Sequence, residues 1–261
     1  MSSLKSLTTL SVRLLTKRKS TMKTLTQAYY VTFFVLASTQ SWKGVAGADD
    51  FRYLTGYAGL GLSGIHHQFT EYTPDLSTVQ MDNTIESACG TGFWLFYDAT
   101  NYAMDSISCS WHLVNHCGNW STYCQNMVSS LRYAGSPHGL NNNYYNLYEG
   151  TSFRGEEFRG DEDAAQLGDL DLAVSSLIVT GQAAWTFYTG LDFTGATVCV
   201  YADETTTNSG IDLDFARIEN LSELGLPDNS IRSVARGCFS ERVVGAAPRS
   251  HAGEEHVHDA N

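Results

Sequence analysis

The chain has 261 residues, an apolar fraction of 43% and a formal net charge of −12, which excludes wholesale disorder and argues against a nucleic-acid backbone or an anionic membrane surface as partner. With 14 Tyr, 12 Phe and 23 Gly against only 4 Pro, the composition favours strands joined by tight turns.

The amino end reads as a secretory signal peptide over residues 1–48. A basic stretch (Lys17, Arg18, Lys19, Lys23) leads into the apolar run Ala28–Ala37, and the small-x-small pattern Val45-Ala46-Gly47-Ala48 places maturation after Ala48. The run is too short to span a bilayer, so no membrane is expected as partner after cleavage, and the mature chain is expected to be secreted. Six cysteines (Cys89, Cys109, Cys117, Cys124, Cys199, Cys238) fit an oxidising route. Cys199 and Cys238 stand alone in the carboxyl half and pair most economically; Cys117 with Cys124 closes a short loop, which leaves Cys89 with Cys109. None of the spacings is a zinc pattern. Asn119-Trp-Ser121 and Asn220-Leu-Ser222 are glycosylation sequons.

From residue 50 onward two short motifs alternate, each four times. Tyr57-Ala-Gly-Leu-Gly-Leu62-Ser-Gly64 comes first, followed by Asp82-Asn-Thr-Ile-Glu-Ser87. The predicted strand Phe93–Tyr97 runs into the second copy, Tyr97-Asp-Ala-Thr-Asn-Tyr102-Ala-Met104, and Gln125-Asn-Met-Val-Ser-Ser130 follows. The polar stretch Gly135–Asn143 reads as a linker. Beyond it stand Tyr148-Glu-Gly-Thr-Ser-Phe153-Arg-Gly155, Asp171-Leu-Ala-Val-Ser-Ser176 and the predicted strand Leu177–Thr180. The strand Trp185–Tyr188 opens Tyr188-Thr-Gly-Leu-Asp-Phe193-Thr-Gly195, and a further strand, Thr197–Tyr201, comes next. A helix is predicted over Phe215–Leu224, capped by Gly225 with Pro227 beyond, ahead of Asp228-Asn-Ser-Ile-Arg-Ser233. Residues 241–261 lack apolar periodicity and are expected to be disordered.

Linked repetition of this kind marks a modular chain. It implies two domains of two units each, 50–136 (the more divergent) and 143–240. A unit of about forty residues with short strands and a tight first hairpin is the size of a Greek key, and two such units close a two-sheet sandwich. The Tyr-to-Gly spacing suits a folded hairpin whose last Gly adopts a conformation other residues resist.

At these residues the chain resembles the βγ-crystallin family. The Tyr148 and Tyr188 copies match its folded-hairpin signature, and the four six-residue stretches match its second signature, Asn/Asp-Asn/Asp-x-x-Ser/Thr-Ser. The resemblance implies an all-β fold of two Greek-key β-sandwich domains, to which the predicted segment adds one short helix. It also implies that, in calcium-binding members, each second signature helps build one of two ion sites per domain. Calcium takes six to eight hard oxygens at flexible geometry, and Asn/Asp side chains, backbone carbonyls and Ser hydroxyls are of that type. The family shares its sites crosswise, the second position of one stretch working with the fifth of its partner. Carried over, Asn229 meets Ser175, with the carbonyls of Ser230 and Glu149; Asn83 meets Ser129, with Thr84 in the set. Asn126 meets Glu86, where a carboxylate replaces the hydroxyl and either binds or overcrowds. The fourth site would need Leu172, which has no oxygen, and Arg232, a cation that repels Ca²⁺. The expectation is about one calcium site per domain, against the alternative that these Ser and Asn side chains only hold turns.

Gly59–Gly64 imitates a dinucleotide fingerprint with Asp82 downstream, but the hairpin repeat already explains its glycines. His66, His67, His112, His116 and the tail's His251, His256 and His258 read as surface residues, and the acidic run Glu156, Glu157, Asp161, Glu162, Asp163 reads as an exposed face. No Ser/His/Asp or Cys/His arrangement can be assembled, so no enzyme is expected. The expected function is a secreted, non-enzymatic structural protein stabilised by calcium and disulfides, with calcium ions, extracellular proteins or further copies of itself as partners. The alternative is a secreted defence or interaction module, toxin-like or protease-inhibiting, that presents the segment Cys109–Cys124 with Trp111 and Trp120 as a rigid exposed loop.

Overall fold

A computed structural model describes residues 51–103, 111–120, 124–208 and 210–246. The segment expected to be a signal peptide, Cys109 and the tail beyond residue 246 lie outside the described residues.

The first half contributes β1 (Tyr53–Gly59), β2 (Ser63–Phe69), β3 (Ser87–Thr91), β4 (Phe93–Tyr97), β5 (Trp111–Val114), β6 (Cys117–Asn119) and β7 (Ser130–Ala134). They form sheets ordered β2-β1-β3-β6 and β5-β4-β7. The second half contributes β8 (Tyr144–Tyr148), β9 (Glu157–Gly160), β10 (Ser176–Thr180), β11 (Trp185–Tyr188), β12 (Thr197–Val200), β13 (Glu204–Asn208), β14 (Ile211–Ile218), β15 (Ser233–Arg236) and β16 (Val243–Val244). These form sheets ordered β13-β14-β10-β8-β9 and β15-β11-β12-β16. Among the described residues every ladder is antiparallel except that of β12 with β16.

The third segment of each unit crosses to its partner's sheet. Thr73 bridges Leu131 of β7, and Ala164 bridges Val234 of β15. In return β6 pairs with β3, and β14 with β10. Neither unit of a pair is complete alone, which is the interlocked Greek-key arrangement of a βγ-crystallin sandwich.

The strand sequences explain their places. In β4, Trp94 and Phe96 face the first sandwich core with Leu54, Ile85 and Leu131, while Phe93 and Leu95 face the other way. There they meet Tyr148, Phe153, Ile178 and Phe215 of the second half. Buried on both faces, the strand is apolar throughout instead of alternating. Strand β10 behaves likewise, with Leu177 and Val179 in the second core beside Trp185 and Phe187, and Ile178 in the shared cluster.

Several expectations are corrected. The predicted helix Phe215–Leu224 is the end of β14 followed by a single 3-10 turn, Leu221–Leu224. Phe215 and Ile218 stand three apart and therefore on opposite faces of a strand; both faces are buried, so the spacing imitates a helix. The caps were genuine but serve only that turn: Asn220 makes a capping box with Glu223, and Gly225 is left-handed. The tail is ordered at its start, where Val243–Val244 adds to β12. Cys199–Cys238 forms as expected, but Cys89 pairs with Cys117, so neither Cys89–Cys109 nor Cys117–Cys124 exists. Cys89 and Cys117 are directly opposed in the β3–β6 ladder, a register that spacing along the chain does not reveal. The stretch Gly135–Asn143 holds no strand, yet it is stitched down. The Asn142 carbonyl accepts from Thr180 Oγ1 at 3.0 Å, and Asn143 Oδ1 accepts from the Ala183 amide at 2.7 Å.

Candidate metal centre

The two motifs meet four times in the same way. In each hairpin the fourth and fifth residues after Tyr are left-handed: Gly61 and Leu62, Asn101 and Tyr102, Ser152 and Phe153, Asp192 and Phe193. The glycine seven places on is left-handed too, with φ of 83° at Gly64, 75° at Gly155 and 86° at Gly195. A Cβ at Gly195 would also sit 3.0 Å from the Gly190 nitrogen. Met104 of the second copy lies outside the described residues.

Each strained hairpin is held by the last serine of the following stretch. Ser87 Oγ donates to the Gly59 carbonyl (2.6 Å) and accepts from the Leu62 amide (3.0 Å). Ser130 does the same with Ala99 and Tyr102, Ser176 with Gly150 and Phe153, and Ser233 with Gly190 and Phe193. All four serines are fully buried. The sixth position therefore belongs to the fold, which is the turn-holding role the sequence offered as an alternative.

The second and fifth positions are arranged for something else. Asn83, Asn126, Leu172 and Asn229 all have positive φ, between 52° and 57°. Stretches cross in pairs: the Asn83 amide donates to the Val128 carbonyl, the Asn126 amide to Ile85 and the Asn229 amide to Val174. The fifth-position amides of Glu86, Ser129, Ser175 and Arg232 donate to the carbonyls of Tyr57, Tyr97, Tyr148 and Tyr188. Asn83, Asn126 and Asn229 are thus each set against the fourth residue of the partner stretch.

Side chains give each crossing its own chemistry. Ser175 Oγ lies 3.1 Å from Asn229 Oδ1. Nearby, Ser230 Oγ donates to the Pro227 carbonyl (2.6 Å), and Glu149 Oε2 accepts from the Glu156 amide (3.2 Å). At the amino crossing Asn83 Nδ2 donates to Asp82 Oδ2 (3.0 Å) and Thr84 Oγ1 to the Met81 carbonyl (2.9 Å), while Ser129 is 7% exposed. Asp82 Oδ1 is buried and has no hydrogen-bond partner, and a buried carboxylate oxygen in that state favours a nearby cation. Asn126 Nδ2 donates to Glu86 Oε1 at 3.0 Å, which turns an amide nitrogen, not an oxygen, toward the carboxylate. At the fourth crossing Arg232 makes a bidentate pair with Asp171, at 2.7 and 2.6 Å. Hydrogen bonding to Arg232 holds the Asp171 carboxyl below its usual range and raises the guanidinium. A guanidinium fills that crossing and does not fit a metal, whereas the Ser175/Asn229 crossing brings two oxygens within 3.1 Å. Among the described residues no three His, Cys, Asp or Glu side chains cluster as metal ligands.

Three residues read as surface from sequence are not. Glu157 of the acidic run accepts from Tyr72 Oη (2.7 Å) and Asn146 Nδ2 (2.8 Å). His112 stacks on Phe93 at 5.3 Å and takes a hydrogen bond from Arg217 Nη1 at 2.7 Å. Burial and that guanidinium push its imidazole down to about 4, against the pull of Glu204. Trp120 of the proposed inhibitor loop is 8% exposed and packs edge-on to Phe96 with Trp111 beside it, so neither indole is presented outward. The sequon residue Asn220 spends its side chain on Ser222 and Glu223.

No protein-family model matches the chain, and no curated protein matches it. Among solved structures it is similar to geodin, a beta-gamma crystallin from Geodia cydonium, at 19% identity with a TM-score of 0.52, over 71% of this chain and 98% of geodin. It also matches a betagamma-crystallin from an archaeon (26% identity, TM-score 0.29, over 37% of this chain and 99% of the other). A beta gamma crystallin from Ciona intestinalis matches at 20% identity and TM-score 0.28, over 36% and 98% of the two chains. The likeness to geodin places the chain in the βγ-crystallin fold.

Proposed function

We propose that this βγ-crystallin-fold chain is a secreted, non-enzymatic structural protein of two domains, 50–136 and 143–240, that binds about one calcium ion in each. The observation that carries the reading is the meeting of Ser175 Oγ and Asn229 Oδ1, two hard oxygens brought together by a crossing whose backbone bonds are already made. Asn229 and Ser175, with the carbonyls of Ser230 and Glu149, would hold one ion; Asn83, Ser129 and Thr84 would hold the other. Asp82, absent from the sequence-based ligand set, supplies a buried unpaired carboxylate oxygen at the second crossing. Disulfides at Cys89–Cys117 and Cys199–Cys238 suit an oxidising compartment and support secretion. Further copies of the chain or other extracellular proteins would be its macromolecular partners.

An ion bound only by the folded form adds stability by mass action, about 2.7 kcal/mol when calcium stands at a hundred times its dissociation constant. Calorimetric titration of the mature chain with calcium tests the reading. The parent should take up about two ions, and Asn229→Leu or Ser175→Arg should each remove one. Both replacements copy residues already present at the Asp171 stretch and its partner, where Leu172 is left-handed with φ of 57° and Arg232 is accommodated. Unchanged stoichiometry in both variants would overturn the assignment.

A further inference from the structure

Strand β2 is the outermost strand of its sheet, which runs in the order β2-β1-β3-β6. In an antiparallel ladder alternate residues bond one neighbour, while those between point their N–H and C=O groups away. A Cβ on Gly90 of β3 would sit 2.9 Å from Leu54 Cα, which marks Leu54 and Gly90 as a close, non-hydrogen-bonded pair. The backbone groups of Leu54, and of Gly56 two places on, therefore turn to β2, where they pair with Phe69 and His67. Those of His66 and Gln68 are left pointing outward. Among the described residues the main chain of Ser63–Phe69 bonds no other main chain outside the β1 ladder.

An unpaired edge invites a further strand, and proteins usually blunt it with charge, proline or brevity. Here β13 opens on Glu204, β9 carries Glu157 and Arg159, and β15 ends on Arg236. Strand β2 has none of these devices. Among the described residues it is the longest edge strand, and no Asp, Glu, Lys, Arg or Pro occurs from Tyr53 to Thr70. Ile65 stands 77% exposed on it. Two features make a second copy the occupant. A chain of net charge −12 repels its own copies, and least where the approaching segment carries no charge. A two-fold axis also lets the edge satisfy itself. Bonding His66 to Gln68 of the second copy, and Gln68 to its His66, keeps to Ile65–Phe69 and avoids Gly64, which is left-handed with φ of 83°. That register sets Ile65 beside Phe69 of the second copy, an apolar cross-strand pair, and faces His67 with itself.

We propose that β2 is a self-association edge, pairing antiparallel with β2 of a second copy so that one sheet runs through both molecules. This assignment rests on the reading of the chain as a structural protein that takes copies of itself as partners, and it specifies the surface by which they meet.

Sedimentation equilibrium of the mature chain over a range of concentrations tests it. The parent should pass from monomer to dimer as concentration rises. Ile65→Lys puts a charge on the edge and Gln68→Pro removes an outward N–H, and each should weaken the dimer about tenfold or more with circular dichroism unchanged. Phe239→Lys, at a residue 66% exposed in the second half, should leave it within about twofold. His67→Cys should join two chains by a disulfide on mild oxidation, because that residue faces its own copy. A monomer at every concentration would overturn the edge, while the calcium reading keeps its own titration as its test. A dimer that survives both edge variants, or that gives no cross-link in His67→Cys, would show that copies meet elsewhere and overturn it equally.

Discussion

Arg132 of β7 reaches across to the main chain of Phe153, its Nη2 donating to the Phe153 carbonyl at 2.7 Å although the residue is 1% exposed. The same carbonyl accepts from Tyr97 Oη at 2.5 Å, and Arg132 Nε donates in turn to that hydroxyl at 3.0 Å. Its Nη1 takes the Gly155 carbonyl at 3.0 Å, and the guanidinium lies over the rings of Tyr97, Tyr102 and Tyr148. The strained hairpin of the second half is thereby clamped to β4 and β7 of the first through a buried cation held by carbonyls and aromatic faces.

Removing that cation should be costly. Arg132→Ala strands the Gly155 carbonyl, takes one of two donors from the Phe153 carbonyl and opens a cavity, and should lower unfolding free energy by about 3–5 kcal/mol. Arg132→Lys keeps the charge without the planar fork and should recover only part of the loss. Urea unfolding of the three proteins measures both effects, and a loss below about 1 kcal/mol in the alanine variant would refute the clamp.

The sixth-position serine should separate fold from metal. Ser176→Ala leaves the buried Phe153 amide and the Gly150 carbonyl without their partner, at about 1–3 kcal/mol. Calcium affinity at Asn229 should stay unchanged. A stability loss with intact titration assigns this position to the hairpin; a parallel loss of both would contradict the division of labour.

The Asp171–Arg232 crossing should be convertible. Leu172→Asn with Arg232→Ser restores at these positions the residue types that meet at Asn229 and Ser175. The double variant should bind one more calcium ion than the parent by calorimetry. No added site would show that the crossing geometry, not the residue type, sets binding there.

Acid should weaken the fold through His112. Burial and Arg217 push its folded-state value down to about 4, below the unfolded imidazole value of about 6.5, so the unfolded chain takes the proton first. Stability is therefore complete above the unfolded value and declines as pH falls toward the folded one. The loss is on the order of 2 kcal/mol once partial exposure is allowed for. Urea midpoints across that window should slope downward in the parent and flatten in His112→Gln.

Much of this was legible along the chain because it is local. Left-handed positions ask for Gly, Asn or Asp at fixed offsets, and serines that hold them recur at a fixed distance from the next strand, so both motifs were visible. Phe93–Tyr97 and Trp185–Tyr188 were read as strands with the bounds they have. The approach of Ser175 to Asn229 was also anticipated, through the family resemblance, whereas the unpaired Asp82 oxygen was not, because no local pattern marks one.

Only the tertiary structure decided what depends on which distant residues face each other. The exchange of third segments put Cys117 opposite Cys89, while packing of one half on the other turned Glu157 inward to Tyr72 and buried Arg132 between two hairpins. In each case the residue type alone is compatible with a surface or another partner. The choice is made by desolvation and register, which exist only once sheets far apart in sequence have packed.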